Sequence, residues 1–380
     1  MALTVASKRD FPEKPSPTLE IGDLTPELSG HPAFHGHERV LRGRDRARGL
    51  DAIVAIHSTT LGPAIGGTRV WRYDSFDAAL TDVLRLSHGM TMKAAVAGLP
   101  HGGGKAVILA GGETGEGPAK SAAALAAYAE FLSTVAGNYY TAEDVGLSLE
   151  DADFLRRRTR NVLGTTEGGS GNPSPVTAHG VYLGLKAAVR HRLGKTSLQG
   201  LHVAVSGLGA VGMALARQLA ADGARLSVAD IDEVRLEAAR DDLSADCVRP
   251  ERIHAVEADV FAPCALGAVL NDKTIPDLKV RVVAGAANNQ LATIADAAAL
   301  AERDILYAPD YVINAGGLMN VAAELKPGGY DRDAVMAEVA RIPATLAEIF
   351  SRADADGVST ETVAARLAAE RLTAGVRSAV

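Results

Sequence analysis

Apolar positions recur in two rhythms along this chain, separated by a stretch that has neither. In the first part, VLRGRDRARGLDAIVAIH predicts two strands, near residues 40–42 and 53–57, around a polar turn; GGTRVWRY predicts a third. Ser75 is placed to cap a long helix through FDAALTDVLRLSHGMTMKAAVA, whose apolar residues fall at helical spacing. KAVILA is a short run of strand type, and SAAALAAYAEFLSTVAG predicts an alanine-rich helix ending at Gly137. Residues 1–30, rich in proline, serine and charge, are expected to form a loosely attached arm.

From Gly164 to Thr177 the sequence GTTEGGSGNPSPVT has no periodicity and many breakers, so residues 164–176 are expected to be a linker or hinge. A strict alternation follows. A helix over 177–193 leads to strand HVAVSG, helix VGMALARQLAADG, strand RLSVAD and helix EVRLEAARDDL, with later strands near EADVFA, VRVVAGA and DILYAPDYV. Short apolar strands alternating with helices predict an α/β domain whose parallel sheet is covered on both faces. From Asp331 onward the pattern is helical.

A length of 380 residues suits two domains, and aromatics at 4% leave most packing to Ala, Val, Leu and Ile. The formal charge of −7 argues against nucleic-acid or anionic-membrane partners, which would favour a basic patch. Cys247 and Cys264 make no disulfide framework, and no Cys/His cluster has zinc spacing, so no metal is expected. The N-terminus lacks the apolar core of a secretory signal, and no apolar run reaches the roughly 20 residues a bilayer requires. The expected location is the cytoplasm.

In VAVSGLGAVG, Gly207, Gly209 and Gly212 have G-x-G-x-x-G spacing between a predicted strand and a predicted helix, with Ala210 and Val211 between them. That arrangement brings backbone close to a pyrophosphate and sets it at a helix N-terminus. A glycine triplet alone is a weak signal. Here the next strand ends in Asp230, about 20 residues on, where a carboxylate can accept from ribose hydroxyls. Asp230, with Asp232 and Glu233, would repel a 2′-phosphate, so NAD⁺ is expected over NADP⁺; Arg235 is the one neighbour that opposes this.

Two lysines of the first half stand in glycine-rich settings. Lys93 lies in GMTMKAA near the end of the long helix, and Lys105 in LPHGGGKAVI, after what reads as a glycine-rich loop. Desolvation there would fit a lysine for base chemistry. TAEDVG offers Asp144 at a break between elements. Each taken singly also reads as a solvated surface charge.

LGPAIGGTRVW, GMTMKAAVAGLPHGGGKAVI, YYTAEDVG, GNPSPVTAHGVY, VFAPCALGAVLND, VVAGAANNQLA and ILYAPDYVINAGG occur in order, and together resemble the Glu/Leu/Phe/Val dehydrogenase family, closest to its leucine/valine branch. The resemblance implies an N-terminal α/β substrate and oligomerisation domain, residues 1–165, completed by C-terminal helices about 345–380. A Rossmann-type doubly wound NAD-binding domain would follow at 177–344, with substrate in a cleft between the two. It implies that Lys93 binds the substrate α-carboxylate, that Lys105 is the general base, and that Asp144 exchanges protons with the amine. Backbone at Gly66 and Gly67 would line the substrate site; Thr177, Ala286, Asn288, Asn289 and Asn314 would contact the nicotinamide side and the substrate. NAD as cofactor and a homo-oligomeric state come with the resemblance.

Glutamate dehydrogenases carry a lysine in GPxKGG that pairs with the substrate γ-carboxylate; this chain reads GPAIGG, with Ile65 there. An apolar wall leaves a buried carboxylate unpaired, which costs several kcal/mol. The resemblance adds Ala142, Leu318 and Val321 to the pocket wall. Leu318 and Met92 depart from the branch's usual residues, and the extra methylene at Leu318 favours valine, 2-aminobutyrate or isoleucine over aromatics. The expected activity is oxidative deamination of valine, leucine or isoleucine to the 2-oxo acid, and its reverse. An aromatic amino-acid dehydrogenase is the alternative within the fold, and a catalytically silent NAD-sensing protein the alternative outside it.

Overall fold

The computed structural model of the protein describes residues 15–111 and 120–378, which divide into two compact units. The first runs to Thr91 and resumes at His101–Gly171; the second takes Met92–Pro100 and everything from Asn172.

The first unit holds a seven-stranded sheet: β1 (Glu20–Asp23), β2 (Arg39–Asp45), β3 (Leu50–Ser58), β4 (Ala64–Ile65), β5 (Thr68–Trp71), β6 (Gly102–Leu109) and β7 (Tyr139–Tyr140). Their order is β1-β2-β3-β6-β4-β7, with β5 also paired to β6. β1 to β3 and β6 are antiparallel neighbours, whereas β4 and β5 run parallel to β6. Helices α1 (Phe76–Val96), α2 (Ala122–Ser133) and α3 (Leu149–Arg156) accompany it. Strand alternation decides which helix covers which face. Ala52, Val54 and Ile56 of β3 join Leu125, Tyr128 and Phe131 of α2, while Ile53 and Ala55 join Ala79, Leu80 and Leu84 of α1. Ser75 Oγ accepts from the Ala78 N–H at 3.1 Å, the expected cap.

Two expectations change here. The arm is not loose over its described part: β1 pairs with β2, Leu19 and Leu28 are buried, and Thr18 donates to the buried Asp45 at 2.7 Å. Residues 1–14 lie outside the described residues. The GGG segment is not a loop but the start of β6, bonded to β3 on one side and β4 on the other. Its residues are glycine because β6 is crowded: a Cβ on Gly104 would meet the Tyr139 ring, and one on Gly103 the α1 backbone at Thr91.

Histidines far apart in sequence also meet in this unit. The rings of His37 and His57, His57 and His88, and His88 and His35 lie 4.8, 4.8 and 4.7 Å apart. His57 Nε2 faces the His35 carbonyl at 3.1 Å, so it must be the donor, and Nδ1 then accepts from Thr91 Oγ1 at 2.8 Å. Burial, with repulsion between the rings, pushes His37, His57 and His88 down to about 4. Among the described residues no group of three or more His, Cys, Asp or Glu is arranged to hold a metal ion.

The second unit is built on six parallel strands: β8 (His202–Ser206), β9 (Arg225–Ala229), β10 (Asp246–Cys247), β11 (Val260–Pro263), β12 (Val282–Val283) and β13 (Leu306–Tyr307), in the order β10-β9-β8-β11-β12-β13. That is the doubly wound order, with its switch point beside β8. Its helices are α4 (Ser174–Leu193), α5 (Ala210–Ala221), α6 (Glu233–Leu243), α7 (Ala295–Glu302), α8 (Asp310–Ile313), α9 (Gly316–Ala322), α10 (Arg332–Val339), α11 (Ile342–Asp356) and α12 (Thr360–Ser378). DILYAPDYV, expected as one strand, splits at Pro309, which cannot extend the ladder and instead opens α8.

The C-terminal helices, expected to complete the first domain, group with the second unit. Ile342 and Leu346 of α11 lie over Gly180 and Gly184 of α4, α12 packs on α11, and Arg371 donates to the Val96 carbonyl. No described helix is long and apolar enough to cross a membrane.

Candidate active site

Lys105 stands on the central strand β6, and the chain after β7 brings Asp144 to it. Thr68 N–H donates to the Ala142 carbonyl at 3.0 Å and Val70 N–H to the Val145 carbonyl at 2.8 Å, so β5 holds residues 142–145 alongside. The result is a contact ion pair, Lys105 Nζ to Asp144 Oδ2 at 2.6 Å, with Lys105 only 6% exposed. Arg69 of β5 brings Nε to 3.7 Å from the same oxygen and donates to Asp82 at 2.9 Å; Tyr73 donates to Asp82 at 2.6 Å. Burial alone would raise the Asp144 carboxyl, but Lys105 first and Arg69 second outweigh it and hold it below its ordinary value. Arg69 and Asp82 were not singled out from sequence, although Arg69 lies inside the GGTRVW motif.

Gly66 and Gly67 sit where β4 turns toward this pair: Gly67 abuts the Glu143 carbonyl and the Asp144 Cβ, and the Gly66 carbonyl accepts from the Tyr139 hydroxyl at 2.6 Å. Ile65 is 1% exposed, its backbone paired with Gly103 and Tyr140, and Ala142 is buried. Lys93 groups with the second unit, where its charge acts on the buried Asp310.

In the second unit the glycine turn has the expected form. Gly207 takes φ +95°, and a Cβ on Gly212 would overlap the Gly207 carbonyl oxygen, so helix and turn meet at van der Waals distance. Space beside Gly209 is open, and Gly209 caps α5, which begins with Ala210 and Val211. Asp230 directly follows β9; its carboxylate accepts from Leu208 N–H at 2.6 Å, which ties it to the turn, and from Asp232 N–H at 2.9 Å. Arg235 lies 3.8 Å from Asp230 and 3.2 Å from Asp232, so its charge is already matched by acids. Ile231 and Leu266, 93% and 85% exposed, offer apolar surface next to Asp230 and to Ala265, which packs on Gly207; sequence reasoning had overlooked both.

Asn288, Asn314 and Ala286 form one cluster. Asn314 donates to the Ala286 carbonyl at 3.0 Å and to Asn288 Oδ1 at 2.8 Å, leaving its own Oδ1 buried with no partner. Asn289 is held at φ +52°. Thr177 Oγ1 donates to the Pro173 carbonyl at 3.0 Å and lies against Gly317 of α9, the helix that carries the buried Leu318 and Val321. A dinucleotide fits this donor set on two observations: the open approach at Gly209, and the orphaned Asn314 oxygen, which suits an amide N–H. Glu361 and Asp310 are neighbouring carboxyls in this unit: Glu361 is pushed up to about 7, by burial first and the Asp310 charge second.

Family models match each of the two units. The Glu/Leu/Phe/Val dehydrogenase dimerisation domain matches residues 35–161, and the Glutamate/Leucine/Phenylalanine/Valine dehydrogenase model matches residues 227–376. Leucine dehydrogenase of Bacillus cereus is 46% identical over 351 residues, 92% of this chain and 94% of that protein. Valine dehydrogenase of Streptomyces albus is 44% identical, covering 90% and 95%. Among solved structures, L-tryptophan dehydrogenase from Nostoc punctiforme superposes with a TM-score of 0.78 at 43% identity, over 90% of this chain and 97% of that one. With both units matched and such likeness along nearly its whole length, the chain belongs to the Glu/Leu/Phe/Val dehydrogenase family.

Proposed function

We propose that this protein is an NAD⁺-dependent L-amino-acid dehydrogenase acting on small apolar side chains of the branched-chain type, and that it also runs the reverse reductive amination. The buried Lys105–Asp144 pair, in a chain that also carries a doubly wound sheet with an open glycine turn, carries the reading. When bound, NAD⁺ supplies the hydride acceptor. The side chains supply anchoring and proton movement. Once its ammonium has released a proton to solvent, the neutral Lys105 amine takes the proton from the water that adds to the substrate imine carbon, and Asp144, 2.6 Å away, exchanges protons with the substrate nitrogen. Lys93 anchors the α-carboxylate. Asp230 accepts from the ribose hydroxyls, and Asn314 receives the carboxamide.

In this reading each unit contributes apolar substrate-contacting residues, Ile65 and Ala142 from the first and Leu318 and Val321 from the second, which favours valine, leucine and isoleucine. The dimerisation-domain match supports a homo-oligomer, and two free thiols suit the reducing cytoplasm. The test follows NADH formation with purified protein and a panel of valine, leucine, isoleucine, 2-aminobutyrate, phenylalanine, tryptophan and glutamate. Highest kcat/KM for a branched aliphatic substrate is expected. A preference for tryptophan or phenylalanine would overturn the pocket assignment, and no turnover on any of them would overturn the enzyme assignment.

A further inference from the structure

The turn bearing Ala286, Asn288 and Asn289 is held by more than its own backbone. Three consecutive carbonyls accept from side-chain amides: Gly285 from Gln290 Nε2 at 2.9 Å, Ala286 from Asn314 Nδ2 at 3.0 Å, and Ala287 from Gln290 Nε2 at 3.0 Å. Both Gln290 partners are acceptors, which fixes the orientation of its amide, and its Oε1 is left buried without a partner. The Gln290 backbone N–H donates in turn to Asp310 Oδ2 at 2.8 Å, and Asp310 also lies 3.4 Å from the Tyr307 hydroxyl. Gln290 is fully buried and Asp310 is 8% exposed. Asn289, between these anchors, keeps a left-handed backbone that a non-glycine residue adopts at a cost. An orphaned acceptor and a strained residue in one short turn mark a conformation held for a purpose beyond folding.

We infer that Gln290 and Asp310 are positioning residues: together they clamp the AANN turn so that Asn288 and Asn314 meet the nicotinamide end of the cofactor. The inference rests on the reading of that turn given under the proposed function. Asp310 fixes the far end of the turn through the Gln290 backbone, and the Gln290 side chain reaches back to fix the near end. Neither side chain touches the cofactor. The adenosine half, held at the glycine turn and Asp230, is independent of the clamp.

This independence sets the experiment. Affinities for NADH and for ADP-ribose, which lacks the nicotinamide, are measured by titration of the full-length protein and of Gln290→Met, Asp310→Asn and Asp310→Ala. In the wild type NADH is expected to bind more tightly than ADP-ribose. In Gln290→Met, which keeps length but loses both donors, ADP-ribose affinity should stay within about twofold, while the NADH advantage shrinks at least about fivefold and kcat/KM falls at least about tenfold. Asp310→Asn, which retains an acceptor for the Gln290 N–H, should fall between wild type and Asp310→Ala. Equal losses for NADH and ADP-ribose, or no loss in either, overturn the clamp. If Gln290→Met does not fold, the two Asp310 variants decide by the same ratio. A wild type that binds neither ligand would instead overturn the cofactor reading, a separate outcome.

Discussion

Charge around Asp144 is distributed unevenly, and the unevenness can be measured. Asp144 lies 2.6 Å from the Lys105 ammonium and 3.7 Å from the Arg69 guanidinium, while Arg69 has a second acid in Asp82. At an effective dielectric of about 20, those separations correspond to gross attractions of about 6 and 4 kcal/mol before desolvation is subtracted. Replacing Lys105 by Met keeps the volume and leaves Asp144 with Arg69. Replacing Asp144 by Asn leaves the 6%-exposed Lys105 without its acid and sets two cations side by side. Breaking a buried pair from the side that strands a charge costs about 3–5 kcal/mol; the opposite deletion should cost about 1–2 kcal/mol, because one cation remains. The double variant should be less destabilised than the sum by about 2 kcal/mol. Trp71, the single tryptophan, lies on the same strand as Arg69 and reports unfolding of this unit. Urea midpoints at pH 7 and one fixed protomer concentration, compared at equal slopes, give the three values. Equal destabilisation by Lys105→Met and Asp144→Asn, or a coupling below about 0.5 kcal/mol, would refute the asymmetry.

Three further outcomes are expected. Asp230→Ser removes a carboxylate that holds the glycine turn through the Leu208 N–H and also accepts from the Asp232 N–H, so NADH affinity should fall at least about tenfold and the preference for NAD⁺ over NADP⁺ should narrow; a wild type that prefers NADP⁺ would show Arg235 to govern the site. Wild-type kcat/KM for glutamate should lie at least about 10³-fold below that for valine, and Ile65→Lys, which buries an ammonium at a 1%-exposed position, should depress the apolar substrates without a full switch. Comparable use of glutamate and valine by the wild type would sink the pocket reading. His37, His57 and His88 are pushed down to about 4 in the folded protein from an ordinary 6.5, so below 6.5 the unfolded chain binds more protons; their contribution is complete above that pH and lost as pH falls toward 4. The Tm of His88→Gln should therefore fall less than that of wild type between pH 7 and 5, and parallel curves would count against a titrating cluster.

What could be read from the chain was whatever repeats at a secondary-structure period or depends on near neighbours in sequence. β3 announced both its faces by alternation, and β8, the glycine turn and α5 announced themselves by an apolar run, three spaced glycines and a helical pattern. What stayed hidden depends on tertiary proximity. β1 is four exposed residues with no pattern, ordered by pairing with β2. The GGG of β6 opposes strand propensity and makes sense only beside Tyr139 and Thr91. Lys105 and Asp144 were legible as candidates, yet the Arg69–Asp82 support, the Gln290–Asp310 clamp and the four histidines each join residues with no local signature.

The glycine-built strand β6 also bears on how such a protein can diversify. The backbone of Lys105 is held by its ladder partner Ala55 on β3, and its strand is paired on the other edge at Gly102–Gly103 and from Ala106 onward, so its placement does not depend on a bound ligand. Ile65 lies on the adjoining β4, whose ladder bonds to β6 and β7 are made by backbone alone. On the proposed function, a change of side chain at position 65 would therefore alter which molecules are accepted while the Lys105–Asp144 pair stays where it is. Taste and chemistry are inherited separately, and a lineage can revise the first without rebuilding the second.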